Sequence, residues 1–276
     1  MDKKKSNRLV TVLLVLALLA GICLLLYPTV SDYWNSLHQT RAIVSYAEEV
    51  AGLNPDLYAG LWEDAQSYNR RLAESDTCYY LTEEQKAEYG QLLNLSGNGI
   101  MGCIEIPSID CVLPIYHGTE ESALQTAVGH LEWTSLPTGG EGTHCVLSGH
   151  RGLPSAKLFT NLDRLAVGDV FMLRVLDEVL TYEVDQILIV EPQDVSALRI
   201  EPDKDLCTLV TCTPYSVNTH RLLVRGHRIE NPEESAAVRV TADAVQIAPM
   251  LAAPIMAIPL LLVLVILLLL PRKSCK

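Results

Sequence analysis

Basic residues are scarce in this chain: 21 Lys and Arg stand against 33 Asp and Glu, a formal net charge of −12. Seven of the 21 crowd into the two chain ends, so residues 9–271 carry 14 bases and 32 acids, a net of −18. That excludes nucleic-acid binding, which requires a basic surface, and the excess acid reads as a solvated exterior. Cys-x-x-Cys spacing and paired histidines at zinc-ligand intervals are also missing, so no metal and no cofactor are expected. Internal repeats, low-complexity stretches and Gly- or Pro-rich linkers are lacking too. This excludes a solenoid or a string of tethered domains.

Charge is absent altogether from two stretches. Residues 9–27 form a run of nineteen without a charge, after Lys3, Lys4, Lys5 and Arg8; residues 247–270 form a run of twenty-four, before Arg272, Lys273 and Lys276. Each can cross a hydrocarbon layer of roughly 30 Å at about 1.5 Å per residue. Pro254 and Pro259 in the second run are better tolerated in a membrane helix than in a soluble one. A cleaved signal peptide is the competing reading of the first run. Its apolar part would be shorter, no small-x-small site comes before Tyr33-Trp34, and Cys23 stands one residue too late for a lipoprotein site. An uncleaved anchor is therefore expected. Basic flanks on both runs put both termini in the cytoplasm and the middle of the chain outside the cell membrane.

What is present between the anchors falls into two textures. Residues 31–50 read as a helix leaving the membrane, with Tyr33, Leu37, Val44 and Ala47 on one stripe. Further helices are expected over 57–72 and 82–93, the latter opened by a capping box of Thr82 with Gln85. From Gly99 onward the pattern changes to short aliphatic runs at 100–106, 111–116, 144–148, 170–175, 180–190, 206–211 and 222–224. Turn residues punctuate them, and short helices are expected near 121–127 and 155–162. Seven or eight strands in about 130 residues predict a mainly β fold, a closed or nearly closed barrel. The expected organisation is a cytoplasmic tail (1–8), an anchor (9–27) and a helical stalk and lid (28–98). The barrel (99–230), a linker (231–246), a second membrane helix (247–270) and a cytoplasmic tail (271–276) follow.

Eight cysteines occur, of which Cys103, Cys111, Cys145 and Cys207 sit in apolar strand-like runs and read as small buried hydrophobes, a structural bridge among them being left open. Cys212 differs. It ends the strand 206–211, and Arg221 begins the next strand nine positions later, which can bring a thiol and a guanidinium to one end of a sheet. A nucleophilic thiolate needs positive charge nearby, and acyl transfer needs donors for an oxyanion. Among seven histidines, His150 in Val146-Leu147-Ser148-Gly149-His150-Arg151-Gly152 stands at a strand end before a glycine-bounded loop, where barrel loops gather into a cleft. His144, ahead of the same apolar run, is assigned no chemistry. His220 alternates to the opposite face from Arg221, whereas Arg225 shares Arg221's parity. Arg151 and Arg225 are candidates for a supporting shell.

Thr208-Leu209-Val210-Thr211-Cys212, Arg221 and Leu147-Ser148-Gly149-His150 together resemble the signature of the sortases, membrane-anchored cysteine transpeptidases of Gram-positive bacteria. Residues 98–102, 104–107, 113–118, 149–163, 213–215 and 218–221 are similar to the pilin-polymerising class C branch, as is the C-terminal anchor. The resemblance implies a sortase-like β-barrel at the cell surface and three roles. Cys212 is the nucleophile on the Thr–Gly bond of an LPxTG-like sorting signal, His150 the general acid, and Arg221 the donor to substrate and oxyanion. It implies pilin subunits as partners, supplying both the sorting signal and an acceptor lysine. The alternatives are a housekeeping-type sortase that transfers to a cell-wall precursor peptide, and a non-catalytic pilus-assembly adaptor.

The resemblance also implies a lid with an Asp-Pro-aromatic motif. Here the corresponding link reads Ser75-Asp76-Thr77-Cys78-Tyr79-Tyr80: Asp76 is kept, the proline is missing, and Cys78 stands where an aromatic is expected. Tyr79 can take the covering role with a one-residue shift. Without proline's fixed φ the link is less pre-organised. Cys78 reads as a small apolar contact, the sharper alternative being a reversible disulfide to Cys212.

Overall fold

A computed structural model describes residues 3–74 and 80–231. The expected lid residues Asp76, Cys78 and Tyr79, the linker and the second membrane segment lie outside the described residues. The described residues fall into two units, residues 3–34 and residues 35–74 with 80–231.

In the first unit the described residues are helical. They belong to α1 (Lys3–Ala51), which continues through Pro28 as a single helix. Its 18-residue window of mean hydropathy 2.8 and its exposed leucines, Leu24 at 75% and Leu25 at 80%, give it the length and composition to cross a membrane.

The second unit is a closed eight-stranded barrel. Its strands are β1 (Ile100–Ile106), β2 (Cys111–His117), β3 (Val128–His130), β4 (Thr143–Ser148), β5 (Val170–Val175), β6 (Glu178–Val190), β7 (Asp205–Thr213) and β8 (His220–Ile229). They close in the order β1-β2-β3-β4-β7-β8-β6-β5, with β2–β3 and β4–β7 parallel and every other pair antiparallel. The mainly β barrel read from the aliphatic runs is the observed one. β3 is the strand without a counterpart in that reading, because three residues including Gly129 carry no alternation. The short helix expected at 155–162 is instead a series of turns with Leu158 at φ 38°, followed by a 3₁₀ turn at Leu162–Arg164. A left-handed leucine cannot lie inside an α-helix.

Alternation sorts the strands into two apolar layers. Cys145, Leu147, Cys207, Leu209, Leu222 and Val224 point into the barrel and join its main core. Their neighbours Val146, Val210 and Leu223 point outward and form a smaller cluster with Leu198 from the connection between β6 and β7. That outer strip, roofed by Val195, Ala197 and Leu198, marks one outside face of the barrel as apolar.

The helices cap and brace this frame. The last turns of α1 bring the buried Tyr46, whose hydroxyl donates to Met101 O at 2.9 Å and accepts from Leu176 N at 2.8 Å, fastening β1 to the turn after β5. Burial pushes the Tyr46 hydroxyl well above the usual phenol range. From α2 (Pro55–Glu74), Asn69 holds Leu136 at both its N–H and C=O, at 2.7 and 2.9 Å. The Thr82–Gln85 capping box opens α3 (Glu83–Tyr89) as expected, and Tyr89 at its end bonds His130 Nδ1 at 2.9 Å. The short α4 (Glu121–Leu124) links β2 to β3 and supplies their parallel crossover.

Candidate active site

Three neighbouring strands, β4, β7 and β8, carry the sequence-identified residues. Cys212 and Arg221 are direct partners across the antiparallel β7–β8 pair. On the other side β7 runs parallel to β4, with Ser148 paired to Val210. The contact continues past the strand end: Gly149 N–H donates to Val210 O at 3.0 Å, and Thr211 Oγ1 donates to Gly149 O at 2.8 Å. Two residues of extended chain therefore set His150 beside Cys212, with Arg221 on its far side. Counted by alternation from Val210 and Leu223, Cys212 and Arg221 face outward, at the end of the apolar strip rather than inside the barrel, and His150 follows β4 at that same end.

Local packing fixes the loop that bears the histidine. A Cβ on Gly149 would meet the Phe159 ring at 2.7 Å, so a bare Cα is needed there, and Phe159 N–H donates to His150 O at 3.1 Å. Gly152, at φ +74°, packs under Tyr215 in the same manner, with the ring 2.8 Å from an added Cβ. Beyond Cys212 the chain turns through a cis Thr213–Pro214 bond, and Pro214 O accepts from Val217 and Asn218.

Cys212 is half-buried, whereas Cys103, Cys111, Cys145 and Cys207 are buried free thiols. Burial pushes the Cys103 and Cys111 thiols up to about 12 and the Cys207 thiol well above its ordinary value, which makes them inert spacers. Arg221 spends one nitrogen on its own turn, donating to His220 O at 3.2 Å and Asn218 O at 3.4 Å. No carboxylate among the described residues pairs with it. Among the described residues His150 has its Nε2 buried without a hydrogen-bond partner, and the Glu121 carboxylate stands 3.7 Å away. A thiol, an imidazole with an unspent nitrogen and a guanidinium with no acid beside it among the described residues thus share this end of the sheet. Such a set can perform nucleophilic acyl transfer.

The remaining candidates are placed differently. Arg225 is held by Asp185 at 2.8 and 3.0 Å and by Glu201 at 3.2 Å. Arg151 pairs with Asp163 and lies over the Tyr215 ring, beside a cleft of about 510 Å³ that Ile187, Ile189 and Leu222 also line. His220 is exposed and opposes Thr213 on the other face of the sheet. His144 is buried, with Nδ1 donating to Arg199 O and Nε2 against Thr208 Oγ1. No group of three metal-ligating side chains comes together among the described residues. The sequence reading missed Glu121, which opens the expected short helix but lies 29 positions from His150, with nothing local to tie the two together.

The model of the sortase domain matches residues 104–229. Sortase C1 of Streptococcus agalactiae superposes with a TM-score of 0.68 at 49% identity, covering 70% of this chain and 100% of that one. The chain belongs to the sortase family. Sortase C of Streptococcus pneumoniae gives a TM-score of 0.63 at 43% identity over 69% of this chain and 97% of its own, so the structural neighbours of this sortase include class C enzymes. Among curated relatives, sortase D of Bacillus subtilis is 33% identical over 131 residues, which are 46% of this chain and 63% of that protein. Sortase A of Streptococcus agalactiae serotype III is 30% identical over 141 residues, 50% of this chain and 56% of the relative. This sortase thus spans less than two thirds of the curated relatives it matches first.

Proposed function

We propose that this chain is a membrane-anchored cysteine transpeptidase that polymerises pilins. The observation that carries the reading is the register that sets Cys212 against Arg221 with His150 following the adjoining strand at the same end. On this reading the Cys212 thiolate attacks the Thr–Gly carbonyl carbon of an LPxTG-like signal. Arg221 donates to the oxyanion that forms. Collapse breaks the C–N bond as the His150 imidazolium gives its proton to the leaving glycine amine, and a thioester remains. The ε-amine of a pilin lysine then attacks the thioester and passes its proton to His150. Thiolate departs, and an isopeptide bond is left. Arg at 221 suits this role better than Lys because a planar fork presents several fixed donors.

The lysine acceptor is supported by the class C neighbours, one of which, sortase C of Streptococcus pneumoniae, has a structure bearing on pilin substrate specificity. Residues 9–27 and 247–270 are the proposed anchors, with both termini cytoplasmic and the barrel outside. Asp76, Cys78 and Tyr79 are the proposed lid.

The test is to incubate the full-length chain with an LPxTG-like peptide and candidate pilins and to read the adducts by mass spectrometry. A thioester on Cys212, absent from Cys212→Ala, and a Thr–Lys isopeptide product are expected. Absence of any thioester on the wild type overturns catalysis and leaves the adaptor. Transfer only to cell-wall peptide amines overturns the pilin assignment alone.

A further inference from the structure

His150 turns one ring nitrogen away from solvent. Among the described residues its Nε2 is buried without a hydrogen-bond partner, and an acid that faces it is Glu121, whose Oε2 stands 3.7 Å off. Glu121 opens α4, and its other oxygen, Oε1, accepts from Gln125 Nε2 one turn later. The segment is pinned from outside as well, since Gln39 Nε2 on α1 donates to Thr126 O at 2.6 Å. The carboxylate is therefore presented to the imidazole by a braced turn. Among the described residues, Cys212 on β7, Arg221 on β8 and Arg151 in the histidine's own loop belong to the same end of the barrel, and Arg151 is occupied by Asp163.

We propose that Glu121 is a positioning residue for His150. By accepting the Nε2–H it fixes the imidazole's plane and tautomer and leaves Nδ1 as the nitrogen that serves Cys212 and the departing and arriving amines. This inference rests on the transpeptidase reading for its catalytic consequence but not for its geometry. The proton on one imidazole nitrogen is set by the partner of the other, and an acid behind the base is the recurring means of holding it. The 3.7 Å gap is longer than a hydrogen bond, and rotation of a carboxylate side chain that is 71% exposed can close it. Catalytic hydrogen bonds commonly tighten only when substrate enters and water leaves. So exposed a pair contributes little to folding, which leaves the residue free to be tested.

The experiment compares wild type, Glu121→Ala and Glu121→Gln in the full-length chain. Ring nitrogen shifts of His150, assigned through His150→Gln, should report the Nε2–H tautomer in the wild type and a mixture of tautomers in Glu121→Ala. The acylation kcat should fall about tenfold in Glu121→Ala with KM within about twofold. Glu121→Gln, which keeps an acceptor oxygen, should restore the tautomer and most of the rate. Unchanged nitrogen shifts in Glu121→Ala overturn the proposal. If the wild type forms no thioester, the transpeptidase reading fails while the nitrogen shifts still decide the role of Glu121.

Discussion

The strands β4, β7 and β8 carry a histidine and an arginine at each of their two shared ends, and the pairs behave in opposite ways. At the end where β7 begins, His144 has both ring nitrogens engaged, by Arg199 O and Thr208, and Arg225 is clamped by Asp185 and Glu201. At the end where β7 finishes, His150 keeps Nε2 unpartnered and Arg221 has no acid paired with it among the described residues. Residue type is the same at both ends. What separates structure from chemistry here is whether the polar groups are already satisfied. Buried polar groups are normally paired, so a histidine and an arginine left unclamped beside a half-buried thiol are the mark of a site rather than of a brace.

The sharpest way to break this comparison is Arg221→Lys. It should lower the rate of acylation by about 10²-fold, because one ammonium cannot reproduce a fixed donor fork, and it should leave the melting temperature nearly unchanged. A peptide–thioester assay with a thermal melt on the same sample reads both. Arg225→Met should do the reverse. It strands Asp185, which is half-buried, and should cost about 2 kcal/mol in denaturant unfolding with acylation at 25 °C preserved. Equal loss of activity in the two variants would erase the distinction between the ends.

The smallest effect is expected from pH. Desolvation lowers the His144 and His117 pKa values below 6.5, so each stays neutral in the fold where the unfolded chain takes up a proton. Their contribution to stability is then complete above about pH 6.5 and declines as the pH falls toward their folded values, with a slope of at most about 1.4 kcal/mol per pH unit for each proton. His144→Gln should flatten that decline in urea titrations run between pH 7 and 5.5. An unaltered slope would mean that His144 is not held neutral.

Much of the barrel was legible in the sequence because seven of its strands are short aliphatic runs closed by turn residues. Helix α3 was legible through the Thr82–Gln85 box. β3 was not, since Val128-Gly129-His130 is too short to alternate and is held by its neighbours on both sides. The turns at 155–162 were read as a helix because nothing local announces that Leu158 takes a positive φ. Within the site, Cys212, His150 and Arg221 stood out through strand ends and spacing. The engagement of Arg225 was hidden, because its partner Asp185 is the extra residue of a bulge in β6 between Val184 and Gln186, forty positions away.

Closure of the sheet has a consequence for how substrates are met. With β5 joined back to β1, every strand has a neighbour on each side, so the barrel has no free edge to which an extended peptide could add itself. On the proposed function the enzyme works among many extended pilin tails, any of which could otherwise zip onto an open sheet through main-chain bonds alone. Denied that route, a tail must be read by its side chains against the face of the barrel, and selectivity follows from the architecture before any single contact is counted.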